Sequence, residues 1–426
     1  MSSLTKENLS NVADVKLSNV DKKTIETEMP ILLCNYTDVY KNSYINKDKS
    51  EKFMQASCNE NEYDKFILKS GQVAITKDSE KANDIGIPTY IDDDLDNVVL
   101  GYHLSLITPN RDKLDGKYLR YWLDTKQSKK YFENNALGSG QRLFLTLDGI
   151  KSIPLHLPAL NTQKNIANIL FNLDKKIELN NKINKELESI VKTLYDYWFV
   201  QFDFPNQNGK PYKSSGGAME YNKKLKREIP KGWGLENIAN SKLTSIINPG
   251  IESYDGKKIY LSTSEVENND ITNHSILEEY NNRPSRANMQ PEYNSIWFAR
   301  MKDTKKVILL GDYSDDIVEN YIFSTGFAGL RINQIALFYT WNYIHNDWFE
   351  EVKNINATGS TQKAIINEAI SNIPLVIPSD TILKMYYDKV YSIYKKIYIN
   401  QRENLELANL RDWLLPMLMN GQVSVK

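Results

Sequence analysis

The sequence predicts an α+β protein built as an internal repeat. Two mixed, β-rich domains are joined by two long helices that pair as an antiparallel coiled coil, with a pseudo-two-fold relation between the halves. Three observations carry this prediction. "KKIELNNKINKEL" (175–187) returns as "KKIYINQRENLEL" (395–407), 220 residues later. Around both copies the apolar residues step by three and four. Further matched pairs keep their order at offsets between 220 and 227. "LSNVA" (9–13) matches "LENIA" (235–239), "TDVYKNSYI" (37–45) resembles "SEVENNDI" (264–271), and "ITKD" (75–78) resembles "RMKD" (300–303). "NNALGSGQR" (134–142) matches "INATGSTQK" (355–363), and "SIPLHLP" (152–158) matches "NIPLVIP" (372–378). So long a repeat is not a solenoid unit of ~20–50 residues. It is a duplicated module, a mixed domain followed by a helix.

The helices follow from periodicity. In the first, Ile166, Leu170, Leu173 and Ile177 step by 4, 3 and 4, and Ile183, Leu187, Ile190 and Leu194 repeat the rhythm. In the second, Leu383, Tyr386, Val390, Ile393, Ile397, Asn400, Asn404 and Leu407 do the same. Lys, Glu, Asp and Asn fill most other positions, which describes an apolar seam with a solvated outer face. No Pro or Gly interrupts 161–199, so the first helix reaches ~39 residues, about 58 Å at 1.5 Å per residue. Asn161 or Thr162 is the expected N-cap. Asn180 and Asn400 occupy equivalent seam positions. An Asn there selects register, because a slipped pairing buries it without a partner; the other reading is a tolerated polar residue. Antiparallel pairing is favoured because a parallel pair forces the chain to return the full helix length.

The domain interiors are read from shorter signals. "KFILKSGQVAIT" (65–76), "NVVLGYHLSLI" (97–107) and "SIWFARM" (295–301) are strand-like, and "GKYLRYWLDT" (116–125) is a short helix. Segment 204–233 carries Pro, Gly and Ser with seven Lys/Arg against two Glu, and reads as a basic linker. The expected organisation is a first domain at 1–158, a helix at 159–203, the linker at 204–232, a second domain at 233–378, and a second helix with its tail at 379–426.

Bulk properties exclude several classes. Lys plus Arg (53) nearly balance Asp plus Glu (54), so a strongly charged partner must meet a local patch. The two cysteines, Cys34 and Cys58, accompany neither a secretory signal nor a long apolar run, and a soluble cytoplasmic protein is expected. His103, His156, His274 and His345 lack metal-ligand spacing, so no metal is expected. No GxxxxGK[ST] loop could hold a nucleotide, and Leu143 stands where a GxGxxG motif needs its last glycine. No Asn/Asp-Pro-Pro-aromatic loop could hold a flipped base.

Several longer stretches carry a resemblance. "QKNIANILFNLDKKIELNNKINKELESIVKTLYDYWFVQFDFP" (163–205), "NGKPYKSSGG" (208–217), "REIPKGW" (227–233) and "NLRDWLLPMLMNGQV" (409–423) are the main ones. "GSGQR" before "IPLHLP" and "GSTQK" before "IPLVIP" complete the set. On these residues the sequence resembles the specificity subunits of type I restriction–modification systems. The resemblance covers the helices, the linker and the repeat, while the domain interiors resemble nothing closely. It departs where the second helix has Leu383 in place of Gln163. It implies a DNA-binding subunit without catalysis of its own. Two target recognition domains would each read one half of a bipartite double-stranded DNA target, and the helices would set the gap. The implied partners are two modification (methyltransferase) subunits using S-adenosylmethionine, and restriction subunits using ATP and Mg. The chain itself would carry no cofactor. The alternative is a coiled-coil adaptor or scaffold without sequence-specific DNA binding.

Candidate DNA contacts follow from residue chemistry. Gly138, Ser139, Gln141 and Arg142 in the first domain match Gly359, Ser360, Gln362 and Lys363 in the second. Glycine admits close backbone approach, Gln can pair an adenine edge, and Arg or Lys can meet phosphate or guanine. The same motif also reads as a turn closing each domain. Arg283 and Arg286 in "RPSRANM", and Arg300 and Lys302 with Lys305 and Lys306, are further basic candidates, against solvated loops. The aromatic run "LYDYWFVQFDF" (194–204) either packs under the second domain or, through Trp198 and Phe199 with Trp413, docks a partner subunit.

Overall fold

The computed structural model describes residues 4–139, 142–360 and 362–423. The chain divides into two compact units, one of residues 1–179 and 403–426, the other of residues 180–402.

Unit 1 is built on two small sheets. The larger orders Ala13–Leu17, Leu104–Pro109, Val73–Thr76, Pro88–Ile91 and Tyr44–Ile45, and the smaller orders Met54–Cys58, Met29–Cys34 and Val98–Leu100. Most pairs are antiparallel, and Tyr44–Ile45 runs parallel to Pro88–Ile91. Val73, Ala74 and Ile75 are all buried, which explains a continuous apolar run rather than alternation. The predicted strand at 65–76 is interrupted: helix Glu60–Phe66 precedes it, and Gly71 turns the chain at φ 90°. The predicted strand at 97–107 also splits, into Val98–Leu100 and Leu104–Pro109, around His103 at φ 72°. Helix Gly116–Leu123 starts where Asp115 accepts from the Tyr118 amide, and buries Tyr118, Leu119, Tyr121 and Trp122. Strand Pro154–Leu157 closes the unit against Thr5–Asn8, with Thr5 opposite Leu157.

Unit 2 repeats the plan with different strands. One sheet orders Thr244–Ile247, Phe327–Ile332, Ser295–Ala299 and Val307–Leu310. A second orders Leu277–Glu279, Lys257–Leu261, Tyr321–Ser324 and Ala287–Met289. Strand Pro374–Ile377 closes against Gly234–Asn237, with Gly234 opposite Ile377.

The two long helices are Leu160–Tyr195, 36 residues, and Asp380–Met419, 40 residues. The first begins earlier than its predicted caps, since the Gln163 amide already donates to Ala159. The Gln163 side chain, buried, binds the Lys113 and Pro158 carbonyls and accepts from the Asp115 amide. It ties the helix start to the loop before Gly116–Leu123, a role that Leu383, fully buried in unit 2, fills by packing. Within unit 1, Asp174 meets Arg411 at 2.7 Å and Lys176 meets Glu403 at 3.4 Å. Within unit 2, Asn184 meets Asn400 at 2.7 Å and the Tyr195 ring lies 6.5 Å from Tyr386. In each unit the partner numbers fall as the first helix rises, so the helical segments pair antiparallel. Asn400 is therefore held by Asn184, both in the buried seam of unit 2.

Segment 204–233 is folded into unit 2 rather than extended as a tether. Phe204 stacks between Tyr212 and Trp233, at 4.6 and 5.2 Å, and Met219–Asn222 pairs with Arg227–Pro230. Its Lys residues are exposed. Cys34 and Cys58 are free and buried. Among the described residues, no helix is long and apolar enough to cross a membrane, and no group of three His, Cys, Asp or Glu is placed to hold a metal.

Candidate nucleic-acid interface

Both glycine-containing motifs form hairpins at the same place in their units. In unit 1, Leu137–Ser139 pairs with Arg142–Phe144, which pairs in turn with Asp78–Ser79. In unit 2, Thr358 and Ala364 exchange backbone bonds of 3.0 and 2.9 Å, and Ala364 bridges Met301. Gly138 has φ 127°, and a Cβ there would lie 2.3 Å from the Arg142 carbonyl oxygen. Gly359 has φ 133°, with the Gln362 carbonyl oxygen at 2.5 Å from a Cβ. Both positions require glycine for two reasons, dihedral and space. The turn reading of the motif thus describes the backbone. Gly138, Arg142, Gly359, Ser360, Gln362 and Lys363 are exposed on it. Gln141 lies outside the described residues.

Backbone bonds give the true correspondence between the hairpins. The Leu145 amide donates to Lys77 at 2.7 Å, and the Ile365 amide donates to Arg300 at 2.9 Å. The Lys77 amide donates to His103 at 3.0 Å, and the Arg300 amide donates to Gly326 at 2.9 Å. Leu145 therefore corresponds to Ile365, Lys77 to Arg300, and His103 to Gly326. Counting back from that anchor, Arg142 corresponds to Gln362, not to Lys363 as the sequence motif suggests. The glycine contacts agree, since Gly138 faces the Arg142 carbonyl and Gly359 the Gln362 carbonyl. A shift of one residue matters because neighbouring side chains on a strand point to opposite faces.

Around the unit 1 hairpin lies a cleft of about 510 Å³ lined by Tyr36, Tyr40, Asp78, Asp84, His103 and Arg142, among others. An Asp78 carboxylate oxygen lies 2.5 Å from His103 Nδ1, within hydrogen-bond distance. Arg142 Nη2 lies 3.2 and 3.3 Å from the two ring nitrogens of His103. Near-equal distances to both nitrogens place the guanidinium over the ring face, since an in-plane approach would collide with Cε1. Tyr36 and Tyr40 stack at 5.7 Å, and the Tyr40 hydroxyl donates to Asp84 at 3.0 Å, which raises its pKa. Burial lowers the Lys77 ammonium below its ordinary range; Asp78 opposes this and Arg142 adds to it. In unit 2 the residues matching Asp78, His103 and Arg142 are Met301, Gly326 and Gln362, none of them charged.

Other expected contacts take different roles. The Arg300 guanidinium binds the Phe327 and Ile365 carbonyls and Asn367 Oδ1, at 3.1, 3.2 and 2.7 Å. These three bonds brace the hairpin base. Arg283 is likewise a loop brace: it binds the Tyr280 and Ala287 carbonyls and lies 4.2 Å over the Tyr280 ring. Lys305 pairs with Asp347 at 2.6 Å, and Lys306 donates to the Thr263 carbonyl. Arg286 and Lys302 are exposed. Trp198 and Phe199 are 2% and 4% exposed, with rings 5.7 and 5.0 Å from Tyr386. Their burial removes them as a docking surface and gives them the packing role. Trp413 is 57% exposed in unit 1. Sequence reasoning missed Asp78 and His103, since His103 stands alone in the sequence and joins the hairpin only through the sheet.

Comparison with known proteins follows the same lines. The family described as "Type I restriction modification DNA specificity domain" matches residues 8–189. The chain is 24% identical over 388 residues to the type I restriction enzyme HindI specificity subunit of Haemophilus influenzae, covering 78% of this chain and 83% of that one. It is 26% identical over 336 residues to the MjaIX specificity subunit of Methanocaldococcus jannaschii, covering 74% and 71%. In fold it is similar to a type I restriction–modification S subunit from M. genitalium, with a TM-score of 0.53, 16% identity, and 98% and 96% coverage.

Proposed function

We propose that the chain is a specificity subunit of a type I restriction–modification system, the family whose model matches residues 8–189, and that it works as follows. It is the DNA-recognition component of the complex, without catalysis of its own. Each unit reads one half of a bipartite double-stranded target, and the long helices fix the gap. Modification subunits, two per chain, bring S-adenosylmethionine and methylate adenine in each half; restriction subunits bring ATP and Mg. One observation supports this reading above the rest. Two hairpins share a backbone, down to the same strained glycine, yet present Asp78, His103 and Arg142 on one and Met301, Gly326 and Gln362 on the other. A common frame with exchanged side chains is what two readers of different sequences require.

Long-read methylation sequencing of cells expressing the chain with a modification subunit tests it. The expected result is a bipartite motif. Four residues inserted near Asn180 lengthen the gap or abolish methylation and leave the half-site bases unchanged. A motif that keeps its gap after insertion removes the helices from spacing control. A chain that binds partners but yields no motif is the adaptor of the alternative reading.

A further inference from the structure

We propose that Arg142 reads a guanine in the half-site of unit 1, with His103 and Asp78 as its positioning residues. The inference rests on the DNA-recognition reading above and names the base class and the residues that choose it.

An exposed arginine on a hairpin normally samples many rotamers, and that freedom weakens discrimination between bases. Arg142 is instead laid across the His103 ring, at 3.2 and 3.3 Å from its two nitrogens. The ring is itself fixed, because Asp78 holds Nδ1 at 2.5 Å and the backbone of His103 sits at φ 72°. His103 engages Nη2 alone, and Arg142 remains exposed. A fork held at one orientation with free donors suits the two acceptors of guanine, O6 and N7, in the major groove.

The surroundings favour a base over a phosphate. Asp78, Glu80 and Asp84 line the same cleft beside Lys81, His103 and Arg142. Three carboxylates repel a phosphate backbone, which a purely anchoring arginine would need close by. They are compatible with a G·C pair, whose cytosine amino group is a donor that a carboxylate accepts. Unit 2 carries the comparison through. Gln362 occupies the backbone position of Arg142, and Gln pairs the adenine edge rather than the guanine edge. Lys77, partly buried beneath Tyr102 and donating to the Ser18 carbonyl, is engaged elsewhere.

The test uses the full chain with its modification subunit and methylation sequencing of the motif, with melting temperature measured in parallel. Arg142→Gln, Arg142→Lys and His103→Ala are compared. Loss of the bidentate contact relaxes one guanine in one half-site by roughly 5- to 150-fold, and leaves the other half-site intact. His103→Ala relaxes the same position, and adding it to Arg142→Gln produces no further loss, which a merely structural role would not give. If Arg142→Gln weakens methylation of every sequence equally and keeps the motif, Arg142 is a phosphate anchor and the proposal fails. Relaxation confined to the other half-site also overturns it. A wild-type chain that directs no motif fails the underlying DNA reading instead, a result distinct from either.

Discussion

Unit 1 and unit 2 share a frame of hydrogen bonds and differ in charge at one position of it. In both, the short helix after the sheet ties to the closing strand. Tyr118 donates to the His156 carbonyl at 2.9 Å, and Tyr339 donates to Val376 at 2.6 Å. Trp122 and Tyr343 bind the carbonyls of Pro154 and Pro374. The next position faces the long helix. There Tyr121 donates to the Asp174 carboxylate, whereas in unit 2 the Asn342 amide donates to the Tyr394 hydroxyl at 2.8 Å. Arg411 completes the unit 1 site at 2.7 Å from Asp174, and Arg120 stands 3.7 Å away. Burial acts to lower the Arg411 pKa, and the contacts with Asp174 and Asp412 together more than offset it. In the repeat, the residue matching Arg411 is Val191, 1% exposed. The fold therefore demands a satisfied polar pair at this point and leaves its charge open. A charged node is the more fragile of the two, because losing one member strands the others in a poorly solvated site.

That contrast is tested first by Asp174→Ala. It leaves the Tyr121 hydroxyl without its partner, Arg411 with Asp412 alone and the buried Arg120 with Asp124 alone, and lowers stability by about 3 kcal/mol, read as a shift in urea midpoint. Adding Arg411→Val recovers part of the loss, since one of the two underpaired guanidinium groups is gone while Arg120 stays. If the double variant is as unstable as the single, charge is not what distinguishes the units.

Acid separates them next. Burial, then Lys305, lowers the His345 pKa to about 4, and the matching residue in unit 1 is Asp124. A lowered histidine is neutral in the folded state, so the unfolded chain binds more protons between pH 6.5 and about 4. Stability is full above pH 6.5 and declines by ~3 kcal/mol as pH falls through that window. For Asp124 burial acts upward, but Arg120 and Lys129 prevail and lower it, so its contribution is lost only in stronger acid. His345→Asn removes the decline between pH 6.5 and 4; an unchanged denaturation profile would place the acid sensitivity elsewhere.

The neutral node gives the smallest effect. Asn342→Ala forfeits hydrogen bonds to Tyr394 and Tyr386, at 2.8 and 3.3 Å, and costs ~1 kcal/mol. A loss as large as that of Asp174→Ala would erase the difference between the nodes.

Much of the architecture was legible because it repeats. The three-and-four rhythm of Ile166, Leu170, Leu173 and Ile177 marks a helix whatever surrounds it, and the 220-residue echo identifies its partner. Gly138 and Gly359 stood out in matched motifs, and the backbone explains both. The site was less legible. Arg142 and Gln362 were both candidates, but the motif aligned Arg142 with Lys363, because a one-residue difference in a turn leaves no trace in a short sequence match. Arg300 and Arg283 read as exposed cations and proved to be braces, since a guanidinium with five donors serves backbone carbonyls as well as phosphates.

Local order and duplication, then, were determined by the sequence alone. Apolar spacing is a property of the chain itself, as is a glycine forced by its dihedral angle. Tertiary structure alone decided which side chains share a site. Asp78, His103 and Arg142 are separated by 25 and 39 residues along the chain and meet only because sheet pairing fixes the backbone between them. Trp198 and Phe199 looked suited to a partner until folding placed Tyr386 against them. The physical reason is the same in each case. Hydrogen-bond register and burial depend on long-range packing, and no local pattern records which distant residue supplies the other half of a contact.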